Sequence, residues 1–202
     1  MSDTDTAPGK RLDDRVLIVV DVQPTFCEGG ALPSPGANAV AERVSRYVRE
    51  RGSRYAAVVT TQDWHIDPGG HFSEDPDYVD TWPPHGLAGT PEAELHPALE
   101  GLTFSASVKK GQYSGAYSGF EGTDEDGRTL EKVVRDAGVD AVDVVGLVES
   151  HCVKDTSLDA RELGFDTRVL TDMTVPVSPE LGALARERMM AAGVELVESG
   201  LG

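Results

Sequence analysis

The 202-residue sequence predicts an α/β domain with a doubly wound, mainly parallel six-stranded sheet and helices on both faces. Apolar segments of strand length alternate with segments of helical periodicity, an order that favours parallel strands joined by crossover helices. The first strand, Val16–Val20, is an unbroken aliphatic run, which is typical of a strand buried on both faces. Because helices cover both faces of parallel sheets, these observations together predict the doubly wound arrangement.

The other five strands are predicted from short runs of apolar and β-branched residues, at residues 55–61, 103–108, 141–145, 167–170 and 194–197. Helices are predicted where apolar residues recur at helical spacing, at residues 38–52, 130–137, 152–163 and 180–192. In the first helix, Asn38 is the predicted N-cap and Gly52 the predicted stop. The segment 62–101 is rich in proline, glycine and histidine, and a loop of this length is predicted to be functional.

Composition and charge restrict the class of protein. Acidic residues outnumber basic ones by 35 to 18, and the net charge of −17 is spread along the chain, so neither nucleic acid nor an anionic membrane is an expected partner. Two cysteines do not make a disulfide scaffold, and the apolar run nearest the N-terminus is too short to span a bilayer, so a cytoplasmic protein is predicted. Residues 1–14 are predicted to form a flexible tail before a single domain at 15–202.

Four chemically capable residues follow or end four of the predicted strands. In strand order they are Asp21, Asp63, Lys110 and Cys152. In an open α/β sheet the ligand lies beyond the carboxyl ends of the strands, and all four residues are expected at that edge. The sequence therefore predicts a functional constellation there.

A metal site is predicted in the long loop, where three of the five histidines lie near an acid. A carboxylate and neutral imidazoles suit Zn, Fe or Mn. The candidate ligands are Asp63, His65, His71 and His85. The spacing matches no standard zinc-finger pattern, so the alternative that these histidines only form hydrogen bonds within the loop stays open.

Cys152 is the candidate nucleophile, because it stands at the predicted start of a helix, where the helix dipole and free N–H groups stabilise a thiolate. The alternative is a buried structural cysteine. Cys27 has no comparable position and is interpreted as structural. Asp21 and Lys110 complete the set, since a thiol needs a base and a lysine can hold an acid and a thiolate in register.

A series of motifs along almost the whole chain resembles the isochorismatase-like cysteine hydrolases and, within them, the nicotinamidases that also act as pyrazinamidases. Each motif is weak alone, but their order is specific. The motifs are Asp21-Val22-Gln23, Phe26-Cys27-Glu28-Gly29-Gly30, Thr61-Gln62-Asp63-Trp64-His65, Gly70-His71-Phe72, Trp82-Pro83-Pro84-His85, Gly89-Thr90-Pro91, Lys110-Gly111, the segment 113–120 and the segment 146–152.

The resemblance implies a catalytic triad of Asp21, Lys110 and Cys152. It also implies a cis peptide bond between Leu147 and Val148, and an oxyanion hole formed by the backbone N–H groups of Val148 and Cys152. The implied reaction is hydrolysis of nicotinamide, and also of pyrazinamide, through a cysteine thioester, with nicotinic acid and ammonia as the products from nicotinamide. Such a reaction would serve NAD salvage.

The resemblance further implies one divalent metal ion and a flat aromatic amide as the small-molecule partner. Phe26 and Trp82 become the aromatic walls of the substrate pocket. The metal ligands become Asp63, His65, His71 and His85. The native metal, the preference among aromatic amides and the formation of a homo-oligomer are left open.

Two departures from the family pattern lie near the expected pocket. Pro24-Thr25 replace the usual Asn-Asp, and Gly86 follows His85 where a cysteine is common. They put the fine substrate preference in question rather than the chemistry. The alternatives are another cysteine amidohydrolase of the superfamily, acting on ureido or carbamoyl compounds, or a catalytically inactive binding protein on the same fold.

Overall fold

The computed structural model describes residues 11–201, and within them the predicted parallel sheet is present. The strands are β1 (Val16–Val20), β2 (Ala57–Asp63), β3 (Ala106–Lys110), β4 (Ala141–Leu147), β5 (Asp166–Val175) and β6 (Glu195–Val197). Their order is β3-β2-β1-β4-β5-β6, and every neighbouring pair is parallel. The strand order reverses between β1 and β4, which is where doubly wound sheets open a ligand crevice.

Helices cover both faces of the sheet, which separates a first hydrophobic core, under one helix, from a second, under the other three. The helices are α1 (Ala37–Arg51), α2 (Leu130–Asp136), α3 (Lys154–Glu162) and α4 (Pro179–Ala191). In β1, Leu17 and Val19 pack with α1, whereas Val16, Ile18 and Val20 point to the face covered by the other three helices. All five side chains are fully buried, and burial of one aliphatic side chain of this size stabilises a fold by about 1.5–3 kcal/mol. The unbroken apolar run therefore positions the central strand.

Several strands extend further toward the candidate site than predicted. β2 ends at Asp63 rather than at residue 61, and β3 ends at Lys110 rather than at residue 108. Asp63 and Lys110 are register partners in the sheet. A prediction from apolar residues alone stops short of these strand ends, because the last residues are polar and are buried by contact with each other.

The predicted N-cap of α1 is wrong. The N-cap is Gly36, which has a left-handed φ of 89° and offers no side chain to the free N–H groups of the first turn. The Glu28 carboxylate accepts hydrogen bonds from the backbone N–H groups of Gly36 (2.6 Å) and Asn38 (2.9 Å) instead. An acceptor eight residues upstream replaces the local cap, and it ties the preceding loop to α1.

The predicted helix at 152–163 is also modified. A π-helical turn, Glu149–Val153, precedes α3 and contains Cys152. Upstream of it, Gly146 has a φ of 113° at a register shift between β4 and β5, and a Cβ there would collide with the Val20 carbonyl oxygen. The Leu147–Val148 peptide bond is cis, as predicted.

The predicted tail at 1–14 falls mostly on residues 1–10, which lie outside the described residues. Leu12–Asp14 form a single 3-10 turn. In the described part of the chain no helix is both long and apolar enough to cross a membrane. The domain limits at 15 and 202 stay a prediction.

Candidate active site

The structure brings the four residues predicted at the carboxyl edge of the sheet into mutual contact around one ammonium group. Lys110 Nζ lies 3.0 Å from Asp21 Oδ2 and 3.6 Å from Cys152 Sγ. It also donates to Asp63 Oδ1 and, at 3.1 Å, to the Ala116 carbonyl oxygen. The four charged or thiol side chains are buried. A lysine ammonium therefore holds two carboxylates and a thiol together away from bulk water.

Burial and charge set the resting protonation of this cluster. Burial raises the pKa of the Asp21 carboxyl, although the Lys110 charge opposes the increase. Burial also raises the pKa of the Cys152 thiol well above its ordinary value, again against the Lys110 charge. Burial alone would lower the pKa of Lys110, but the carboxylates of Asp21 and Asp63 raise it well above the usual range. Lys110 is therefore charged at neutral pH, and the thiol is protonated.

This result corrects the sequence-based expectation that a helix N-terminus stabilises the Cys152 thiolate. The cysteine lies inside the π-helical turn before α3, and its desolvation outweighs the favourable charge of Lys110. The Asp21 carboxylate lies within 4.8 Å of the Cys152 thiol, and its negative charge also raises the pKa of Cys152. A carboxylate that can act as a base is thus in place beside the thiol.

Asp21 is held in an unusual backbone conformation. Its φ of 46° lies in the left-handed region, which residues other than glycine seldom adopt outside functional sites. Thr61, on the adjacent strand β2, donates its hydroxyl to Asp21 Oδ1 at 2.6 Å, and its carbonyl accepts the Asp21 N–H at 3.2 Å. One carboxylate oxygen therefore faces Thr61 and the other faces Lys110.

Beside this cluster, His65, His71 and His85 form a buried triad. One ring nitrogen from each lies within 4.8 Å of the others. Nδ1 of His65 lies 2.6 Å from the Gly111 carbonyl oxygen, and Nδ1 of His85 lies 2.8 Å from that of Pro83. Since a carbonyl oxygen only accepts, both rings carry their proton on Nδ1, and their Nε2 lone pairs are free to bind a metal.

Two further observations fit a divalent cation. His65 Nε2 is buried without a hydrogen-bond partner, and Asp63 Oδ2 lies 3.7 Å from Nε2 of both His65 and His85. Burial lowers the pKa of His71 to about 4, which leaves this ring neutral at pH 7, as a metal ligand must be. The donor set, three imidazoles and one carboxylate, suits Zn, Fe or Mn.

A second group of potential metal ligands surrounds the Lys110 ammonium rather than a metal ion. Asp21, Asp63 and Cys152 also lie within 4.8 Å of one another, but the Lys110 ammonium contacts all three. A permanent positive charge there repels a cation. Asp63 belongs to both groups, with Oδ1 toward the lysine and Oδ2 toward the histidines.

Gln23 fixes the backbone of Asp63. Its side-chain amide donates to the Asp63 carbonyl oxygen and accepts from the Asp63 N–H, both at 2.9 Å, and it also donates to the Ala93 carbonyl at 2.7 Å. Gln23 is fully buried. It stands in a motif noted in the sequence, but its partners are 40 and 70 residues away and only the fold reveals them.

Next to both groups lies an open pocket of about 440 Å³, a volume that includes space at its mouth open to solvent. Cys152 and Val148 line it, together with the metal-ligand candidates Asp63, His71 and His85. The predicted aromatic walls, Phe26 and Trp82, line it as well. Lining residues that the sequence analysis did not single out are Leu32, Ser34, Ala116, Tyr117, His151 and Val177.

Tyr117 and His151 complete the aromatic side of the pocket. Trp82 Nε1 donates to the Tyr117 hydroxyl at 2.8 Å, and the Trp82 ring meets His151 edge-on with centroids 5.5 Å apart. Burial and the charge of Lys154 lower the pKa of His151 to about 4, so its ring is neutral at pH 7. His151 directly precedes the candidate nucleophile, and this position in the sequence could have indicated that it lines the pocket.

The two departures from the family pattern contact each other. The Gly86 N–H donates to Thr25 Oγ1 at 3.2 Å. Gly86 has a φ of 52°, and a Cβ there would come within 3.1 Å of the Asp63 Cβ. Thr25 therefore connects the turn that carries Phe26 to the loop that carries His85.

Comparison with known proteins agrees with this fold. The model of the isochorismatase domain matches residues 15–200. The chain is 51% identical over 183 residues to the nicotinamidase/pyrazinamidase of Mycobacterium tuberculosis, covering 91% of this chain and 98% of that protein. Among solved structures, pyrazinamidase of Pyrococcus horikoshii in complex with zinc aligns with a TM-score of 0.79 at 34% identity, covering 92% of this chain and 99% of that one.

A further structure, from L. infantum in complex with nicotinate, aligns with a TM-score of 0.78 at 29% identity, covering 93% of each chain. The fold and these matches define an isochorismatase-like α/β protein. The chain belongs to the isochorismatase family. Its relatives from M. tuberculosis and P. horikoshii carry the names of nicotinamidase and pyrazinamidase.

Proposed function

We propose that this protein is a nicotinamidase that hydrolyses nicotinamide to nicotinic acid and ammonia, and that it also accepts pyrazinamide. The observation that carries the proposal is the Cys152 thiol, which lines the pocket and contacts Lys110 and Asp21 beside three histidines. The names of the relatives support the substrate class. Nicotinic acid formed in this way would enter NAD salvage. Both cysteines are free, and a free nucleophilic thiol fits the cytoplasm.

In the first half of the proposed reaction, Asp21 takes the thiol proton while Cys152 Sγ attacks the amide carbonyl carbon. The carbonyl π electrons move to the oxygen, and the backbone N–H groups of Val148 and Cys152 stabilise the resulting oxyanion. Loss of one such donor typically lowers the rate by about 10²–10³-fold. Asp21 then returns the proton to the amide nitrogen, the C–N bond breaks, and ammonia leaves behind a thioester.

In the second half, Asp21 takes a proton from water, and the hydroxide attacks the thioester carbon. The C–S bond breaks, the acid product leaves, and Sγ takes the proton back from Asp21. Lys110 stays charged throughout and stabilises the carboxylate when Asp21 is ionised and the thiolate when it forms. The raised pKa of Asp21 suits a group that must accept and donate the same proton.

We infer that Asp63, His65, His71 and His85 hold one divalent metal ion. When bound, such an ion supplies a positive charge that a pyridine nitrogen can bind directly or through water. Phe26 and Trp82 would then hold the aromatic ring between them, so that the amide carbon faces Cys152.

The assignment of the metal site predicts that His71→Ala loses bound metal, with an affinity at least about 10–100-fold lower than that of the wild type. His71 offers a neutral ring nitrogen to the triad, and the remaining donors cannot replace it. The measurement is metal content by elemental analysis after dialysis. His96→Ala is the matched control, because His96 bonds to Asn38 outside the triad. Equal metal content in both variants would contradict the assignment.

The role of Asp21 predicts a pH effect of Thr61→Val. The Thr61 hydroxyl lowers the pKa of Asp21, because it donates to the charged carboxylate. Without it the pKa rises, so Asp21 is ionised only at higher pH, and the acid limb of the kcat/KM profile moves to higher pH. Thr60→Val is the control, since the Thr60 hydroxyl bonds to Ser107 instead. An unmoved acid limb in Thr61→Val would exclude Asp21 as the base.

The proposed function is tested by ammonia release from nicotinamide with purified protein, before and after chelation and reloading with Zn, Fe or Mn. We expect release by the metal-loaded protein and its loss on chelation. Release only from carbamoyl or ureido compounds would favour the other amidohydrolases of the family. Absence of release from every amide would favour a binding protein on this fold.

A further inference from the structure

A buried carboxylate lies one turn before the nucleophile and takes no part in the reaction described above. Glu149 is fully buried, and both of its carboxylate oxygens accept from the guanidinium of Arg186, Nε at 2.5 Å and Nη2 at 2.9 Å. Glu149 begins the π-helical turn that contains Cys152, and Arg186 lies in the middle of α4. The ion pair therefore joins the nucleophile-bearing turn to a separate helix.

Helix α4 is a firm attachment point. Ala185 and Met189, on either side of Arg186 in the sequence, are buried in the second core. Gly182 lies so close to Pro176 that a Cβ there would come within 2.8 Å of the proline ring. The hydroxyl of Ser178 caps the helix at the Leu181 N–H. A group bonded to α4 is thus held relative to the sheet.

The next residue of the turn has a second attachment to the same part of the chain. Ser150 Oγ accepts the backbone N–H of Val177 at 3.2 Å and lies 3.0 Å from His151 Nδ1. Val177 and His151 both line the pocket. Consecutive side chains, Glu149 and Ser150, therefore hold the turn against the segment that leads into and forms α4.

The ion pair fixes geometry better than it adds stability. Removing a carboxylate from water is costly, and an apolar pair of similar volume is often as stable as a buried ion pair. A bidentate contact between guanidinium and carboxylate, however, restricts both distance and angle between the two groups. The backbone on either side of Glu149 carries the Val148 and Cys152 N–H groups, which must point at one oxyanion.

We propose that the Glu149–Arg186 ion pair is a positioning device that holds Cys152 and the two backbone N–H donors in the relative positions that the reaction needs. Glu149 and Arg186 are positioning residues, because neither touches the reacting atoms. Loosening the pair should lower kcat while KM changes little, since Phe26, Trp82 and the metal ligands lie on other segments. The proposal rests on the proposed function for its kinetic test.

The test compares Arg186→Lys, Glu149→Gln and the apolar double variant Glu149→Leu/Arg186→Met with the wild type. Arg186→Lys keeps the positive charge but loses the two-pronged guanidinium that bonds to both carboxylate oxygens. The Arg186 side chain is 45% exposed, so this variant is expected to fold. We expect kcat for nicotinamide to fall by about tenfold in each single variant, with KM within about twofold. In the double variant we expect a Tm near that of the wild type but no recovery of kcat.

A matched control is Glu131→Gln, which breaks a solvent-exposed ion pair with Arg135 on α2 and should leave kcat and Tm unchanged. A second readout does not need turnover: the rate of Cys152 alkylation by iodoacetamide, read by peptide mass spectrometry with Cys27 as internal reference. We expect this rate to change in Arg186→Lys but not in Glu131→Gln.

Normal kcat and normal alkylation in Arg186→Lys would overturn the proposal. Recovery of both Tm and kcat in the double variant would also overturn it, because packing alone would then suffice. If the wild type released no ammonia from nicotinamide, the proposed function would fail, and the alkylation rates would still decide on the positioning role.

Discussion

Replacement of Cys152 by alanine is expected to abolish ammonia release from nicotinamide, with a decrease in kcat of about 10⁴-fold or more. The side chain supplies the only thiol that contacts both Lys110 and Asp21 within the described residues. Without it no thioester can form. The remaining groups hold the amide in place but offer no nucleophile to it. The measurement is single-turnover and steady-state ammonia release.

The variant should keep its bound metal and its affinity for nicotinic acid, because the histidine triad and the aromatic walls are untouched. Calorimetric titration checks the affinity. Cys27→Ala is the matched control: Cys27 is 2% exposed in the first core, and burial raises the pKa of its thiol to about 11. That variant should lose roughly 1 kcal/mol of stability and retain its kcat. Near-normal turnover in Cys152→Ala would exclude covalent catalysis.

Replacement of Lys110 by methionine is expected to damage stability and activity together. The Nζ of Lys110 contacts the carboxylates of both Asp21 and Asp63, and all three side chains are buried. Removing the cation leaves two buried carboxylates facing each other without a counter-charge, which should lower the free energy of unfolding by about 3–5 kcal/mol. Activity should be lost as well, since nothing would stabilise the thiolate.

Urea denaturation measures the first effect and ammonia release the second. Lys109→Met is the neighbouring control, because the Lys109 ammonium lies over the Trp64 ring, 3.5 Å from its centroid. Losing that contact should cost only about 0.5–1 kcal/mol. A Lys110→Met protein as stable as the wild type would show that the two carboxylates share a proton rather than depend on the lysine.

The sequence was a good guide wherever a residue's neighbours in the chain decide its structure. The aliphatic run of β1 is reproduced at both of its ends, because burial on both faces requires such a run. The strand–helix alternation predicted parallel strands, and parallel strands bring their carboxyl ends to one edge. That rule alone was enough to predict that Asp21, Lys110 and Cys152 lie together.

The sequence was a poor guide where a residue's contacts are made with residues far away in the chain. Glu28 caps α1 from outside the helix, and Gln23 bonds to a strand 40 residues later, and neither contact has a local signal. The protonation of Cys152 depends on how deeply the fold buries it, not on its place at a predicted helix start. No local signal in the sequence marks Glu149 as buried, and only the packing of α4 against the π-helical turn buries it.

The double use of Asp63 has a consequence for how such a site can change over evolutionary time. One oxygen of its carboxylate serves the lysine and the other faces the histidines. A descendant that gave up its metal could lose His65, His71 and His85 one after another, but loss of the acid at position 63 would also take a hydrogen-bond acceptor from the buried Lys110 ammonium. Among the four ligand positions, this one should therefore be the last to drift.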